Sequence, residues 1–171
     1  DVRALVWEVG KQIGYTEENH IDVEKYEIED RVCWNQEDPR QWTRSVNDQA
    51  ICIGWAGYDR KTHFLPPEQF LAHYFCQKLT DALRDGDLAG EGPDGKLLVR
   101  IREDAGGWEL EHILCTLQQK PSTHLLDLAS HVAGAVSEAY TALQVADARW
   151  RRPWADVELQ VNPNGPLING G

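Results

Sequence analysis

The C-terminal stretch of this chain constrains the fold most, because it joins a β-forming run to a tight turn. Residues 156–161 are rich in strand formers and lead into Asn162-Pro163-Asn164-Gly165, and an apolar pair, Leu167 and Ile168, follows before two final glycines. Pro fixes φ, whereas Asn and Gly accept positive φ at low cost, so each of these residue types favours a turn for its own reason. The stretch therefore predicts a strand, a turn and a short extended segment. Taken alone, it describes a surface hairpin.

Composition bounds the class of protein. The chain has 171 residues, 42% of them hydrophobic and 26% charged, which is enough for one domain with a core or two small ones. The net charge of −11 disfavours a nucleic-acid surface, because phosphate binding needs clustered Lys and Arg. No apolar run approaches the roughly 20 residues that span a bilayer. We therefore expect no nucleic-acid partner and no membrane partner, although metal ions and a few lysines can still hold a polyphosphate on an acidic protein.

Four cysteines, Cys33, Cys52, Cys76 and Cys115, are scattered among apolar neighbours without a C-x-x-C pair. This pattern is typical of reduced, buried thiols in a reducing compartment. We therefore expect all four to be free and mostly buried, and the protein to be cytoplasmic. The spacing of the six His residues predicts no transition-metal site.

The predicted elements alternate between helices and β-segments. Apolar residues recur at helical spacing from Val2 until Gly14 stops the pattern, and Asp104-Ala105-Gly106-Gly107 has the turn chemistry of a hairpin. In chain order, the predictions are a helix ending near Gln12, a strand over 21–34, a loop over 35–45, a doubly buried strand over 51–55, a helix opened by Pro66 and Pro67, a hairpin with strands 96–103 and 108–117, a helix over 125–143 and a strand over 157–161. The order predicts an α+β fold, a two-layer mixed or antiparallel sheet packed by helices.

Five short motifs resemble one family, the S-adenosylmethionine synthetases (methionine adenosyltransferases), in that family's order. The C-terminal stretch resembles the signature Asn-Pro-Thr/Ser-Gly-Arg-Phe-Val-Ile-Gly-Gly. The other four motifs are Val9-Gly10-Lys11-Gln12-Ile13-Gly14-Tyr15, similar to Val-Arg-Glu-Ile-Gly-Tyr; Asn35-Gln36-Glu37-Asp38-Pro39, similar to Gln-Ser-Pro-Asp; Asp48-Gln49 followed by Gly54-Trp55-Ala56, similar to Gly-Asp-Gln-Gly and Phe-Gly-Tyr-Ala; and Pro93-Asp94-Gly95-Lys96, similar to Pro-Asp-Ala-Lys. The resemblance covers nearly the whole chain.

The resemblance implies a fold, an activity and partners. Residues 1–45 would be the C-terminal part of the family's first domain, and residues 46–171 its central domain. The reaction would form S-adenosylmethionine from ATP and methionine, with release of phosphate and pyrophosphate. Mg²⁺ and K⁺ would assist, with ligands expected outside this chain. The family works as a homodimer or a dimer of dimers, with its sites between subunits.

The resemblance also implies roles for particular residues. Asp48 would hold the methionine amino group and favour the developing positive charge, and Lys96 would meet the triphosphate; these are the two expected catalytic residues. Together with Asp94 they are expected to converge on one cleft. The residues implied in substrate binding are Gln36 in the methionine pocket, Asp94 at the ribose, Cys115 where the family has Ser-Thr near the nucleotide, and Leu167 beside the adenine.

Departures from the family pattern keep other interpretations open. Val46, Asn47 and Ala50 replace glycines around Asp48, and Pro166-Leu167 stands where the family has Arg-Phe, so the aromatic stacking on adenine is lost. The family's His-Pro-Asp-Lys and Gly-Asp-x-Gly-x-Thr-Gly-Arg-Lys segments are expected before and after these residues, in a longer subunit. The alternatives are a non-catalytic relative that serves as a nucleotide-binding or dimerisation module, and an unrelated acidic α+β interaction domain.

Turn and surface chemistry also explain several of these residues without a functional role. Asp94 suits a type I turn, Lys96 suits a solvated strand start, and Gln36 suits an exposed loop.

Overall fold

The described residues form an α+β structure, as predicted. A computed structural model describes residues 1–19, 21–29 and 51–169. In these ranges the helices are α1 (Val2–Ile13), α2 (Pro67–Asp85) and α3 (Leu125–Ala146), and the strands are β1 (Gly95–Asp104), β2 (Gly107–Leu117) and β3 (Glu158–Val161). Short 3₁₀ helices occupy Glu17–Asn19, Val23–Lys25, Arg60–Thr62 and Trp154–Asp156.

The three strands form one mixed sheet in the order β1-β2-β3. β1 and β2 are the predicted antiparallel hairpin, with Lys96 opposite Thr116 and a register shift between Arg100 and Ile101. β3 lies parallel to β2. A parallel neighbour needs a long crossover, which α3 supplies between the two strands. The hairpin, the two long helices and the last strand predicted from the sequence are therefore confirmed.

One face of the sheet packs against α2 and α3, which gives two layers and one core. Leu97, Val99 and Ile101 alternate along β1 toward that core, while the residues between them face outward. The fully buried members of the core include Leu71 and Phe75 from α2, Leu110 and Ile113 from β2, and Leu128, Val132, Val136 and Tyr140 from α3. The outer face carries Arg100 and Arg102, which pair with Glu109 and Glu111.

The ends of the helices follow local chemistry. α1 stops at Gly14, whose φ of 102° is in the left-handed region that glycine adopts without strain. α2 begins at Pro67, because a missing N–H is harmless in the first turn of a helix. α3 runs to Ala146 rather than ending at residue 143. Among the described residues, no helix combines the length and apolar character needed to cross a membrane.

Two predicted strands are wrong. Residues 51–55 form no strand, and Ile51 and Ile53 are 88% and 92% exposed instead of buried. An apolar run becomes a buried strand only when neighbouring strands cover it, and no strand of the described residues pairs with this one. The run over 21–34 also fails where it is described, because Val23–Lys25 is a 3₁₀ turn in which the Asp22 side chain accepts a hydrogen bond from the Glu24 N–H. The part of that run from residue 30 onward lies outside the described residues.

Candidate functional site

A cavity at one end of the sheet gathers two of the predicted site residues. It lies between the C-terminal half of α2 and the first hydrogen-bonded pairs of the hairpin, and has a volume of about 200 Å³. Lys96 from β1 and Cys115 from β2 both line it. The hairpin register brings them together, since Cys115 lies opposite Leu97, the residue after Lys96.

Lys96 is the second residue of β1 and points away from the helices. Its side chain is exposed and makes no hydrogen bond or ion pair with any other described residue. Thr116 stands directly across from it on β2. An ammonium group with no partner among the described residues can donate hydrogen bonds to an anionic oxygen, and a threonine hydroxyl beside it can donate a further one.

Asp94 lies two residues before Lys96, in the half-buried approach to β1. Its carbonyl oxygen accepts a hydrogen bond of 2.8 Å from the Gln118 N–H, which fixes the backbone at this point. Its neighbours Pro93 and Gly95 line the cavity, whereas Asp94 does not. Asp94 is therefore adjacent to the cavity and held against the end of β2.

Cys115 faces the helices and is only 1% exposed. Burial, and secondarily the neighbouring Cys76 thiol, raise its pKa to about 12. Because side chains alternate along a strand, Thr116 rather than Cys115 shares the outer face with Lys96. Two-residue alternation along 113–117, beyond the irregularity at 111–112, is the sequence signal that identifies Thr116.

Leu167 joins the same end of the sheet through its backbone. It forms an isolated parallel bridge with Gln118, and its carbonyl oxygen accepts a hydrogen bond of 2.8 Å from the Gln119 N–H. The Gln118 side-chain amide donates to the Ile168 carbonyl oxygen at 2.9 Å. Gln118 therefore lies between Asp94 and Leu167 and holds the backbone on both sides.

Sequence reasoning missed the two buried glutamines. Gln118 and Gln119 are 0% and 1% exposed, directly after a strand whose inner residues are apolar. The side-chain amide of Gln119 donates to the Thr123 carbonyl oxygen at 2.7 Å. Two consecutive amides at the end of a buried strand were the available signal, since buried polar groups need partners. Asp48 and Gln36 lie outside the described residues, so their convergence with Lys96 stays a prediction.

The cysteines differ from the prediction in their exposure. Cys52, Cys76 and Cys115 are free, as expected, but Cys52 and Cys76 are exposed and only Cys115 is buried. Cys52 belongs to the 51–55 run, with which no strand of the described residues pairs. Cys76 is exposed on α2, at the edge of the cavity between this helix and the hairpin. Cys33 lies outside the described residues.

A metal site is not evident among residues 1–19, 21–29 and 51–169, where no group of three or more His, Cys, Asp or Glu side chains is placed to hold an ion. Among these residues there is therefore no cluster of carboxylates that could hold Mg²⁺ by itself.

Comparison with known proteins gives a consistent set of relatives, although no family model matches the chain. The chain is 34% identical to an S-adenosylmethionine synthase of Methylobacterium nodulans over 132 residues, which is 74% of this chain and 31% of that protein. It is 28% identical to the enzyme of that name from Methylobacterium radiotolerans over 180 aligned positions, or 100% of this chain and 44% of the relative. The S-adenosylmethionine synthase of Acholeplasma laidlawii is 26% identical over 158 residues, or 89% of this chain and 37% of the relative. The chain thus spans less than half the length of these curated relatives.

Proposed function

We infer that the chain is a divergent member of the S-adenosylmethionine synthetase family, and we propose that it forms S-adenosylmethionine from ATP and methionine, with release of phosphate and pyrophosphate. The observation that carries the proposal is the match of 74–100% of the chain to relatives named S-adenosylmethionine synthase. In the same proposal, residues 1–45 are the C-terminal part of the family's first domain and residues 46–171 are its central domain.

The chemistry of this reaction sets what the protein must supply. The methionine sulfur attacks C5′ of ATP, the C5′–O bond breaks, and the triphosphate leaves as a polyanion while a sulfonium cation forms. No protein nucleophile is needed, so the catalytic contribution is positioning and preorganised charge. An exposed ammonium that has no partner among the described residues is a suitable group to stabilise this leaving anion.

Lys96 is the residue that we assign to the triphosphate. Its position opposite Thr116 provides one charge and one hydroxyl on adjacent strands, on the outer face of the sheet. Strand pairing fixes the two backbones relative to each other, so both groups start from neighbouring positions as negative charge develops. Asp94 and Leu167 flank Gln118 next to this pair, and we assign Asp94 to the ribose and Leu167 to the adenine.

The remaining assignments rest on the family alone. Asp48 and Gln36 are proposed for the methionine site, and Cys115 for the neighbourhood of the nucleotide. Because Cys115 is buried, we propose that it contributes indirectly, by fixing the position of Thr116. Other expectations stay predictions: the use of Mg²⁺ and K⁺, assembly as a homodimer or dimer of dimers, and a cytoplasmic location. Mg²⁺ would supply neutralisation of the charge on the triphosphate.

A second candidate is a non-catalytic relative that binds a nucleotide without turnover. Leu167 favours it, because an aliphatic side chain covers a base without the stacking contribution of an aromatic ring. The absence of a metal-binding group among the described residues is compatible with both candidates.

The test is a product assay on the protein with ATP, radiolabelled methionine, Mg²⁺ and K⁺. The proposal expects labelled S-adenosylmethionine together with equal amounts of phosphate and pyrophosphate. Binding of ATP by calorimetry without any labelled product would support the non-catalytic relative instead. If the assays detected neither labelled product nor ATP binding, both candidates would be contradicted. The interpretation as a general interaction domain would then remain.

A further inference from the structure

Gln118 lies where three separate segments of the chain meet. It is 0% exposed and directly follows the last residue of β2. On one side its backbone N–H donates to the Asp94 carbonyl oxygen at 2.8 Å, and its own carbonyl oxygen accepts from the Gly92 N–H at 3.1 Å. On the other side it forms a parallel bridge with Leu167. Gln118 therefore joins the end of β2 both to the turn before β1 and to the C-terminal segment.

The side chain of Gln118 contacts both of these segments. Its Nε2 donates a hydrogen bond of 2.9 Å to the carbonyl oxygen of Ile168, a residue 50 positions away in the chain. The amide also packs on the backbone of Gly92, since a Cβ at Gly92 would lie 2.3 Å from Cδ and from Oε1 of Gln118. Glycine leaves the amide the space that any other residue would occupy. The side chain thus fixes the 167–168 segment relative to the 92–94 turn.

The residue type at position 118 indicates a requirement beyond the filling of space. An apolar side chain of similar size would fill the same volume without the cost of removing an amide from water. The amide supplies a directional hydrogen bond to Ile168, which favours one placement of the C-terminal segment over others. Position 118 is therefore suited to holding that segment in register with the end of the sheet.

We propose that Gln118 is a positioning residue for the nucleoside part of the substrate. Its side-chain amide holds Leu167 at a fixed place relative to Asp94, so that the two residues contact the base and the ribose of one adenosine. This inference rests on the proposed function, in which Asp94 is assigned to the ribose and Leu167 to the adenine. Because Gln118 is fully buried, it acts through the segments that it holds and not on the reacting atoms.

The proposed role makes the two parts of ATP respond differently to the loss of the amide. Lys96 and Thr116, which are assigned to the triphosphate end, are held by the pairing of β1 with β2, and Gln118 is not among those pairs. Leu167 lies beyond the last strand and is held by its bridge to Gln118 and by neighbouring hydrogen bonds. Removal of the amide should therefore weaken binding of the nucleoside and spare binding of the phosphates. A general loosening of the fold would weaken both.

The experiment compares Gln118→Leu with the unsubstituted full-length protein. Leucine fills most of the same volume but cannot donate to the Ile168 carbonyl oxygen. Calorimetry in the presence of Mg²⁺ gives the Kd of ATP and the Kd of inorganic tripolyphosphate, which has three linked phosphates and no nucleoside. Steady-state kinetics give kcat and the KM for ATP.

The expected result is a rise of about fivefold in the Kd and the KM of ATP, the effect of one lost hydrogen bond. Both kcat and the Kd of tripolyphosphate should change by less than about twofold, because the amide contributes to binding of the nucleoside and not to the departure of the triphosphate. An unchanged Kd of ATP would overturn the inference, and so would an equal loss of affinity for ATP and tripolyphosphate.

Gly92→Ala tests the same contact without a change at position 118. The new Cβ would collide with Cδ and Oε1 of Gln118, so the amide has to move from its place beside the Ile168 carbonyl oxygen. This variant should also raise the Kd of ATP and spare that of tripolyphosphate. It provides the result if Gln118→Leu does not fold, and an unchanged Kd of ATP in Gly92→Ala would count against the role of Gln118.

Gln144 is the matched control, because its amide also joins one segment to the backbone of another. It donates from α3 to the carbonyl oxygens of Trp150 and Arg152 at 3.0 Å and 2.9 Å. Trp150 bridges to Trp108, at the opposite end of β2 from Gln118. Gln144→Leu should lower the melting temperature and leave both Kd values unchanged. A rise in the Kd of ATP as large as that in Gln118→Leu would make lost stability the cause and overturn the inference.

The unsubstituted protein separates this inference from the proposed function. If it forms S-adenosylmethionine while Gln118→Leu binds ATP with unchanged affinity, the function stands and the role of Gln118 is wrong. If it binds ATP without forming product, the proposed turnover is wrong, and the same Kd values decide the role of Gln118. A protein that binds no ATP would overturn both.

Discussion

Asn162 satisfies both backbone groups of Leu117 with one side-chain amide. Its Oδ1 accepts from the Leu117 N–H and its Nδ2 donates to the Leu117 carbonyl oxygen, each at 2.8 Å. β3 ends at Val161, so the amide of Asn162 takes the place of the backbone that would have continued the pairing with β2. Its φ of 44° is a left-handed value that Asn tolerates better than most residues. The turn motif of the sequence is thus a cap on the sheet, beside Lys96 and Thr116.

Replacement of Asn162 by Ala should strongly destabilise the fold. The residue is 2% exposed, so the two groups of Leu117 would lose their partners without gaining water. Leaving a buried backbone pair unsatisfied costs about 2–4 kcal/mol. Chemical denaturation measures this change in the free energy of unfolding.

Asn164→Ala is the control, since Asn164 is exposed in the same turn and should change stability by less than about 0.5 kcal/mol. Equal effects of the two substitutions would mean that the turn, rather than the amide of Asn162, provides the stability.

The sequence predicts the parts of the fold that local pattern determines. The helical period over 125–143 and the turn chemistry at 104–107 are properties of short windows, and α3 and the hairpin follow them. The strand predicted over 51–55 failed because burial depends on partners elsewhere in space. An apolar run gives no information about whether such partners are present.

The candidate site was predictable to a smaller extent. Motif order suggests Lys96, Asp94 and Leu167 as site residues, and the backbones of all three lie near Gln118 at one end of the sheet, while their roles stay predictions. The role of Asn162 could not be predicted, because its partner Leu117 is 45 positions away in the chain and is specified only by tertiary packing. Cys76 was misjudged for a related reason, since apolar neighbours along a helix do not share its face.

Gly107→Ala should destabilise the hairpin end of the sheet. Gly107 has a φ of 139°, and a Cβ placed there would lie 2.3 Å from the carbonyl oxygen of Arg149, which is backbone and cannot move aside cheaply. Strain and clash together should cost more than about 1 kcal/mol. A thermal melt monitored by circular dichroism measures the loss.

The matched glycine is Gly134, in the middle of α3, where a Cβ meets nothing within 4 Å. Gly134→Ala should stabilise the protein by about 0.5–1 kcal/mol, because alanine reduces the entropy lost on helix formation. If both alanine variants lowered the melting temperature, the assignment of steric freedom at Gly134 would be wrong.

A partly buried ion network around Asp147 should make the stability of the fold depend on pH in the acid range. The guanidinium of Arg149 contacts Asp147 at 2.5 Å and Asp59 at 2.6 Å, and it lies 4.4 Å from the ring centre of Trp108. The hydrogen bond from Arg149 is the main cause that lowers the pKa of Asp147 below its ordinary value of 3.8. A carboxyl whose pKa is lowered by folding stabilises the native state above its unfolded pKa, and this contribution is lost as pH falls through the folded pKa.

The melting temperature should therefore fall as pH is lowered from about 5 towards 3. Asp147→Asn should have a lower melting temperature near neutral pH, and its melting temperature should change less as the pH is lowered. Asp87→Asn, at an exposed loop position, should follow the unsubstituted protein. Parallel curves for the unsubstituted protein and Asp147→Asn would exclude this carboxyl as a source of the acid sensitivity.

Lys96→Ala should lower turnover far more than it lowers stability. An ammonium on a leaving triphosphate acts where charge develops, so its loss should reduce kcat by about 10²–10³-fold, as for other preorganised charge donors. Because Lys96 is exposed and makes no hydrogen bond or ion pair with another described residue, the free energy of unfolding should change by less than about 0.5 kcal/mol. Lys78→Ala, on the exposed side of α2 with a 4.0 Å pair to Asp81, should leave both quantities unchanged. Steady-state kinetics and a thermal melt on the same preparations separate the two effects. An unchanged kcat in Lys96→Ala would make Lys96 a solvated strand residue and favour the nucleotide-binding relative without turnover.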